Sequence, residues 1–250
     1  MGHDAMTSAD GSTGPGTKGA DGPAVTVVRA PTPRGEVALR ERRVGGQVVH
    51  ELVVAGVFAM DSRDTSTETA LAQSTLELVD DPARVLVGGL GLGYTALAAI
   101  KDRRVRRLDV VEVEEDLLAW ARLALTPTLG LLARHPRVTL HAGDVADALV
   151  PPAAGGAAGL PTGPWDLVLL DVDNGPGFLV HPANSRLYTA GSLRSALGRV
   201  APGGALAVWA AQREPDLLAT LADLAPTQET TVTVAREGRE LEYAIYVARP

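Results

Sequence analysis

The stretch VLVGGLGLGYTA, residues 85–96, decides the fold. An apolar run enters a cluster of glycines, and the residues that follow the cluster have helical spacing. Glycine lets the backbone turn sharply and approach a ligand closely, and the amides at a helix N-terminus attract polar or anionic groups. A strand, a glycine turn and a helix in this order are typical of nucleotide-binding α/β domains. We therefore predict that Gly89, Leu90, Gly91 and Gly93 bind a nucleotide or nucleoside.

The glycine spacing favours a nucleoside over a dinucleotide. Gly89, Gly91 and Gly93 form a G-x-G-x-G pattern, and Tyr94 stands in place of the third glycine of the G-x-G-x-x-G pattern found in dinucleotide-binding proteins. S-adenosylmethionine, a mononucleoside, fits this pattern better than NAD. A tight turn without a ligand and an NAD-dependent oxidoreductase are the alternatives at this point.

The rest of the chain alternates between strand-like and helix-like segments. From Arg84 onward seven strand-length runs occur, and several are continuously apolar, as in parallel strands covered on both faces. We predict a doubly wound α/β domain over residues 63–250, with a mostly parallel seven-stranded sheet ending in an antiparallel pair. Residues 25–62 are predicted to form a small antiparallel β lead-in, and residues 1–24 a disordered tail. The Pro- and Gly-rich residues 150–164 are predicted to form a flexible connector.

Two further helices and several acidic helix starts are predicted. One helix is expected over residues 114–125 and another over residues 187–200. Glu68 lies near the start of a predicted helix that follows Asp64, and Glu114 precedes the next acidic helix start. Because carboxylates are favourable at helix N-termini, we interpret these acidic residues as ordinary helix-start charges and expect Glu114 to be solvated.

Acidic residues at the ends of the second and third predicted strands are candidates for nucleoside binding. Glu112 lies at the end of LDVVEV, nineteen residues after Gly93, where an acid can accept hydrogen bonds from both ribose hydroxyls. Asp144 ends the third strand, where it could accept a hydrogen bond from an adenine amino group or cap the following helical turn. We include the neighbouring Val113 and Val145 in the predicted site.

The end of the fourth predicted strand carries the candidate catalytic residues. In LLDVDNGPG, Asp171 directly follows an apolar run, and Asp173 and Asn174 come next. Ligands of doubly wound sheets bind at this carboxyl edge. Carboxylates there would attract a sulfonium and an amine, orient the amine and accept its proton. The alternative is a turn whose polar residues satisfy backbone groups.

Composition excludes several classes of protein. The 250 residues include no cysteine, which excludes disulfides, thiolate metal sites and a cysteine nucleophile. A net charge of −7 argues against a dedicated nucleic-acid binder, and no apolar run is long enough for a membrane helix. The histidines lack metal-ligand spacing, so we expect no metal site. A cytoplasmic location is predicted, and Trp209 is predicted to contribute only to packing.

The motifs resemble those of the S-adenosylmethionine-dependent methyltransferase fold, and especially the spermidine synthases, or polyamine aminopropyltransferases. The resemblance rests on the segments VLVGGLGLG, VVEV, HAGDVADAL, WDLVLLDVDNGP and LGRVAPGGALAVW, and on LVVAGVFAMDSRD in the lead-in. It implies a class I methyltransferase-like Rossmann fold and a transferase of polyamine biosynthesis. The donor would be S-adenosylmethionine or its decarboxylated form, the acceptor a small amine, and the family often forms homodimers.

The resemblance also implies residue roles. Glu112 matches the family's ribose-binding acid, Asp144 its adenine-binding acid, and Asp171 the first acid of the D-S-x-D-P loop, which deprotonates the attacking amine. This chain departs from the family where Gly91 replaces an acid near the aminopropyl group and Asn174 replaces the second acid of that loop. The family's Y-[HQ]-E triplet is replaced by residues 68–70. Two alternatives follow: a small-molecule methyltransferase, and a non-catalytic nucleoside-binding protein.

Overall fold

The computed structural model describes residues 22–151, 159–236 and 239–250. The predicted tail, residues 1–24, lies almost entirely outside the described residues, as does the middle of the predicted connector over residues 150–164. No helix in the described ranges is both long enough and apolar enough to cross a lipid bilayer.

The N-terminal segment forms an antiparallel four-stranded sheet, as predicted. Its strands are short and rich in β-branched residues, and each pairs with the next along the chain. The strands are β1 (Val25–Thr32), β2 (Gly35–Val44), β3 (Gln47–Val54) and β4 (Val57–Asp61). Val37, Leu39 and Leu52 are buried in the core that this sheet shares with the larger domain.

The larger domain is built on a seven-stranded sheet. Its order is β10-β11-β9-β8-β5-β6-β7, and β11 is antiparallel to both of its neighbours whereas the other pairs are parallel. The strands are β5 (Arg84–Gly88), β6 (Arg107–Glu112), β7 (Val138–Ala142), β8 (Trp165–Leu170), β9 (Val200–Ala210), β10 (Thr227–Arg236) and β11 (Arg239–Ala248). The predicted doubly wound, methyltransferase-like fold is confirmed.

Helices cover both faces of the sheet. They are α1 (Ser66–Leu76), α2 (Tyr94–Lys101), α3 (Glu115–Arg122), α4 (Pro127–Arg134), α5 (Val145–Ala148), α6 (Ala190–Leu197) and α7 (Pro215–Ala222). Leu167 and Leu169 of β8 pack into the core with α1 to α4, whereas Val168 and Leu170 pack into the core with α5 to α7. A strand that is buried on both faces must be apolar at every position, which explains the continuous apolar runs.

Two predicted helices differ from the structure. The residues after α3 form the separate helix α4, because Thr126 precedes Pro127 and takes an extended conformation. The Thr126 hydroxyl accepts a hydrogen bond from the amide of Leu129 at 3.2 Å and caps the new helix. The helix predicted over residues 187–200 begins only at Ala190, and a 3₁₀ helix, Pro182–Tyr188, precedes it.

The chain order places a crevice between β5 and β8. These strands are neighbours in the sheet, but the chain proceeds from β5 outward through β6 and β7 before it returns to β8 on the other side. The connections at the carboxyl ends of β5 and β8 therefore diverge, and ligands of such sheets bind at this switch point.

Candidate functional site

The glycine turn lies at this crevice and allows close backbone packing. Gly89 has a φ of +93°, and a Cβ atom there would lie 2.1 Å from the carbonyl oxygen of Asp171. Gly91 has a φ of +50°, and a Cβ atom there would lie 2.7 Å from Sδ of Met60 in β4. Gly89 requires glycine, because a Cβ atom there would overlap backbone atoms, whereas a side chain at Gly91 would only have to displace the flexible end of Met60 and accept the positive φ.

Glu112 holds the glycine turn from the end of β6. Its carboxylate accepts hydrogen bonds from the amides of Leu90, at 2.7 Å, and Glu114, at 2.8 Å. Burial raises the pKa of this carboxyl above its usual value. The backbone of Val113 also stabilises the charged form, and because an ionised carboxylate has about four lone-pair sites, Glu112 can still accept from a ligand such as a ribose.

Asp144 lies at the end of β7 and is engaged by the protein itself. Its Oδ1 accepts a hydrogen bond from the amide of Ala146 at 2.8 Å, which caps α5, and its Oδ2 lies 2.7 Å from the guanidinium of Arg186. Arg186 also pairs with Asp147 at 3.1 Å and is half exposed. An adenine amino group would therefore share the Asp144 carboxylate with Arg186 or displace that exposed side chain.

Asp171 follows β8 and is partly buried. The hydroxyl of Thr95 in α2 donates a hydrogen bond to its Oδ2 at 2.5 Å. Burial raises the pKa of Asp171 above its ordinary value, and the hydrogen bond from Thr95 opposes this shift. A carboxyl that is desolvated and held in one orientation is suited to position a reacting group and exchange a proton with it.

Asp173 belongs to a chain of polar contacts that crosses the crevice. It has a φ of +56°, and its Oδ2 accepts a hydrogen bond from the amide group of Asn184 at 2.7 Å. The Asn184 oxygen in turn accepts a hydrogen bond from the guanidinium of Arg34, which also pairs with Glu114 at 3.5 Å. Burial raises the pKa of Asp173, although its bond to Asn184 opposes the shift.

One cavity, of about 150 Å³, collects these groups, and we call it the strand-end cavity. The predicted residues that line it are Gly89, Gly91, Glu112, Val113, Asp144, Val145, Asp171, Asp173 and Asn174. Leu90 and Gly93 do not line it: Leu90 contributes its amide to Glu112, and Gly93 packs under Leu132. Within the described part of the chain, no group of three or more metal-ligating side chains is present.

The sequence did not indicate that three charged residues, Glu68, Glu114 and Arg34, line this cavity. Glu68 and Glu114 are buried, so the expectation that Glu114 is solvated is wrong. Arg34 reaches the cavity from the turn between β1 and β2. Burial and the negative charge of Asp171 raise the pKa of Glu68 from 4.5 to about 7.

A second cavity, of about 510 Å³, adjoins the first, and we call it the hairpin cavity because the β10–β11 hairpin forms part of its wall. Its lining is acidic and aromatic. The carboxylates are Asp61, Asp64, Glu68, Glu240 and Glu242, and the aromatic rings are Phe58, Phe178, Trp209 and Tyr243. Among the side chains that the structure describes, which leave out those of residues 236–239, no lysine, arginine or histidine lines it. A cationic ligand suits such a wall, since carboxylates and ring faces both attract positive charge.

Known structures with a similar fold were found by comparison. No protein-family model matches the chain, and no curated protein matches its sequence. A spermidine synthase solved in complex with the transition-state analogue AdoDATO superposes with a TM-score of 0.70 at 15% identity, covering 89% of this chain and 73% of that one. The spermidine synthase from Thermotoga maritima superposes with a TM-score of 0.69 at 14% identity, covering 89% and 72% of the two chains. The chain therefore has a spermidine synthase-like fold.

Proposed function

We propose that the chain is a transferase that moves an aminopropyl or other alkyl group from a sulfonium nucleoside to an amine. The donor would be decarboxylated S-adenosylmethionine or S-adenosylmethionine itself. The observation that carries this proposal is the strand-end cavity, where the glycine turn, Glu112, Asp144 and Asp171 line one space. A similar fold solved in complex with AdoDATO supports the assignment.

The donor would lie across the ends of β5, β6 and β7. Glu112 would accept hydrogen bonds from the ribose hydroxyls through the lone pairs that the backbone amides leave free. Asp144 would accept from the adenine amino group beside Arg186. The sulfonium would then reach the carboxyl end of β8, where the partly buried Asp171 lies.

Asp171 would accept a hydrogen bond from the acceptor amine and hold it for in-line attack on a carbon next to sulfur. The nitrogen lone pair forms the new N–C bond, and the C–S electrons leave with sulfur as a neutral thioether. Asp171 takes up a proton from the nitrogen as the bond forms, and Asp173 or Asn174 assists in positioning. Orienting two reactants in this way contributes up to about 7–11 kcal/mol to lowering a barrier.

Methyl transfer from intact S-adenosylmethionine is the second candidate function. It is favoured by Gly91, because this position of the turn carries no carboxylate and packs against Met60 instead. A carboxylate there would repel the carboxylate of an intact donor. The reacting carbon would then be the methyl group, and the roles of Glu112 and Asp171 would be the same.

Calorimetry and product mass together test the proposal. S-adenosylmethionine, its decarboxylated form, methylthioadenosine, S-adenosylhomocysteine and NAD would each be titrated into the wild type and Glu112→Ala. We expect sulfonium nucleosides and their thioethers to bind the wild type, and Glu112→Ala to lose most of that affinity, while NAD fails to bind. Product mass after incubation with amines then separates an aminopropyl from a methyl increment. Nucleoside binding without turnover on any amine would indicate a non-catalytic protein.

A further inference from the structure

Glu68 occupies a special position between the two cavities. The residues that line both are Ala59, Met60, Glu68, Asn174 and Trp209, so Glu68 is the only carboxyl shared by both walls in the described part of the chain. Asp171 lines only the strand-end cavity, and the other carboxylates of the hairpin cavity line only the hairpin cavity. An amine that enters along the acidic hairpin cavity would meet Glu68 before it reaches Asp171.

The surroundings of Glu68 leave its charge without a cationic partner. The hydroxyl of Thr67 donates a hydrogen bond to its Oε2 at 2.7 Å, and among the described side chains, residues 236–239 excepted, no arginine, lysine or histidine pairs with it. The charged groups that act on it are Asp171, beyond β8, and Asp64, before α1, and both are negative. A buried carboxylate in such surroundings would be stabilised by an incoming cation.

We propose that Glu68 binds the ammonium form of the acceptor at the boundary between the two cavities and takes its first proton, before Asp171 assists the attack. This inference rests on the proposed transferase function. It assigns the carboxyls of Glu68 and Asp171 to two successive protons, one lost before the N–C bond forms and one lost with it.

The two protons can be followed from the nitrogen to the two carboxyls. The acceptor ammonium gives a proton to the Glu68 carboxylate, which yields a neutral amine and a carboxylic acid. The amine lone pair then forms the N–C bond while the C–S pair leaves with the neutral thioether. The nitrogen, now positively charged, passes its second proton to Asp171, and both carboxylic acids return their protons to solvent. The first proton has a direct exit from Glu68 along the hairpin cavity.

The perturbed acidity of Glu68 suits this first step. An alkylammonium has a pKa of about 10, so transfer of its proton to an ordinary carboxylate is unfavourable by roughly a millionfold. The pKa of Glu68 is raised to about 7, mainly by burial and then by the charge of Asp171. Transfer to Glu68 is unfavourable by only roughly a thousandfold, which a chemical step can tolerate.

Trp209 is an independent indication that a ligand binds where the two cavities meet. Its indole N–H is buried and has no hydrogen-bond partner among the described residues, although the ring lines both cavities and only 7% of the residue is exposed. Buried polar groups in folded proteins are nearly always paired. A donor left unpaired at this boundary would be satisfied by an acceptor atom of a bound molecule, and the neutral amine that remains after proton transfer to Glu68 has such an atom, whereas the ammonium has none.

Calorimetry on the nucleoside-loaded protein tests the proposal without requiring turnover. The full chain would be saturated with methylthioadenosine and titrated with 1,4-diaminobutane between pH 6 and pH 8, in two buffers of different ionisation enthalpy. We expect affinity for the amine to rise about tenfold over this range, with proton release near pH 6, because the ammonium selects ionised Glu68. Glu68→Gln should abolish both effects, whereas Glu68→Asp should restore part of them. Glu77→Gln, an exposed carboxyl at the end of the same helix, is the matched control.

The outcomes separate this inference from the proposed function. If the pH dependence of amine binding disappears in Glu68→Gln, the role of Glu68 is supported even when no product forms. In that case the proposed transferase function fails and this inference does not. If Glu68→Gln forms product at the wild-type rate and keeps the same pH profile, Glu68 has no such role and the transferase function stands. Retention of the pH-linked proton release in Glu68→Gln would likewise overturn the inference.

Discussion

Buried carboxyls dominate this site at the scale of single residues. Glu68, Glu112 and Asp171 are all desolvated, and burial is the largest cause of the raised pKa of each. Desolvation of this kind costs folding free energy unless a partner compensates it. Perturbed carboxyls in one cleft are typical of functional sites, because acid–base chemistry needs pKa values near the working pH.

Asp171→Asn should separate chemistry from binding. The amide keeps the shape of the side chain and can still accept a hydrogen bond from Thr95, but it cannot take a proton. Turnover should fall by about 10²- to 10⁴-fold, the usual contribution of a general base, while nucleoside affinity stays within about twofold. Steady-state rates and calorimetry measure the two quantities. Unchanged turnover would show that Asp171 has no catalytic role.

The raised pKa of Glu68 also predicts a pH-dependent stability. Below pH 4.5 the group is protonated in both the folded and unfolded states, and its stabilising contribution is fully present. As the pH rises from 4.5 to about 7, the unfolded state loses the proton first, so the folded state loses stability. Relative to the wild type, Glu68→Gln should gain about 2 kcal/mol in free energy of unfolding between pH 5 and pH 8.

Urea unfolding at the two pH values measures this gain. The exposed carboxyl of Glu77 provides the control, and Glu77→Gln should show no comparable change. A Glu68→Gln stability that follows the wild type at both pH values would mean that Glu68 titrates normally in the folded protein.

Sequence reasoning could find some of these residues but not others. Glu112, Asp144 and Asp171 each follow an apolar strand, and the strand ends are readable from the apolar runs. Glu68 looks like an ordinary first-turn carboxyl, because the elements that pack against its helix, which include α2, β8, β9 and the β10–β11 hairpin, are distant in sequence. Arg34 lies in a turn of the N-terminal sheet, and nothing local indicates that it reaches the crevice.

At the scale of elements, the turn after β5 needs a glycine at position 89. Gly89→Ala should be strongly destabilising, because its Cβ would lie 2.1 Å from the carbonyl oxygen of Asp171. Gly45→Ala is a matched control, since Gly45 also has a positive φ, +56°, but its Cβ would meet nothing within 4 Å. We expect a loss above about 3 kcal/mol for Gly89→Ala and of about 1 kcal/mol for Gly45→Ala. Equal losses in urea unfolding would show that the turn has room for a side chain.

The α3–α4 boundary shows where sequence patterns are weakest. The helix start at Pro127 is indicated by the Thr–Pro pair itself, since proline is favoured in a first turn and threonine is a good cap. The apolar residues before it continue with a helical spacing, and they obscure the turn at Ala124, whose φ is +56°. A positive φ at alanine depends on tertiary packing, which local propensity does not encode.

Topology is the feature most fully predicted at the scale of the whole molecule. The alternation of strands and helices predicts the doubly wound sheet, and continuous apolar runs predict its two covered faces. The placement of the N-terminal sheet against the crevice was not predictable, because no local pattern specifies how β4 meets the glycine turn through Met60 and Gly91. That contact helps form the wall between the two cavities.

A crystal structure with bound S-adenosylmethionine, or with its decarboxylated form, tests the central claim most directly. We expect the ribose hydroxyls to lie within hydrogen-bond distance of Glu112, the adenine beside Asp144, and the sulfonium near Asp171. A nucleoside seated elsewhere, or a strand-end cavity that stays empty at saturating ligand, would contradict the account.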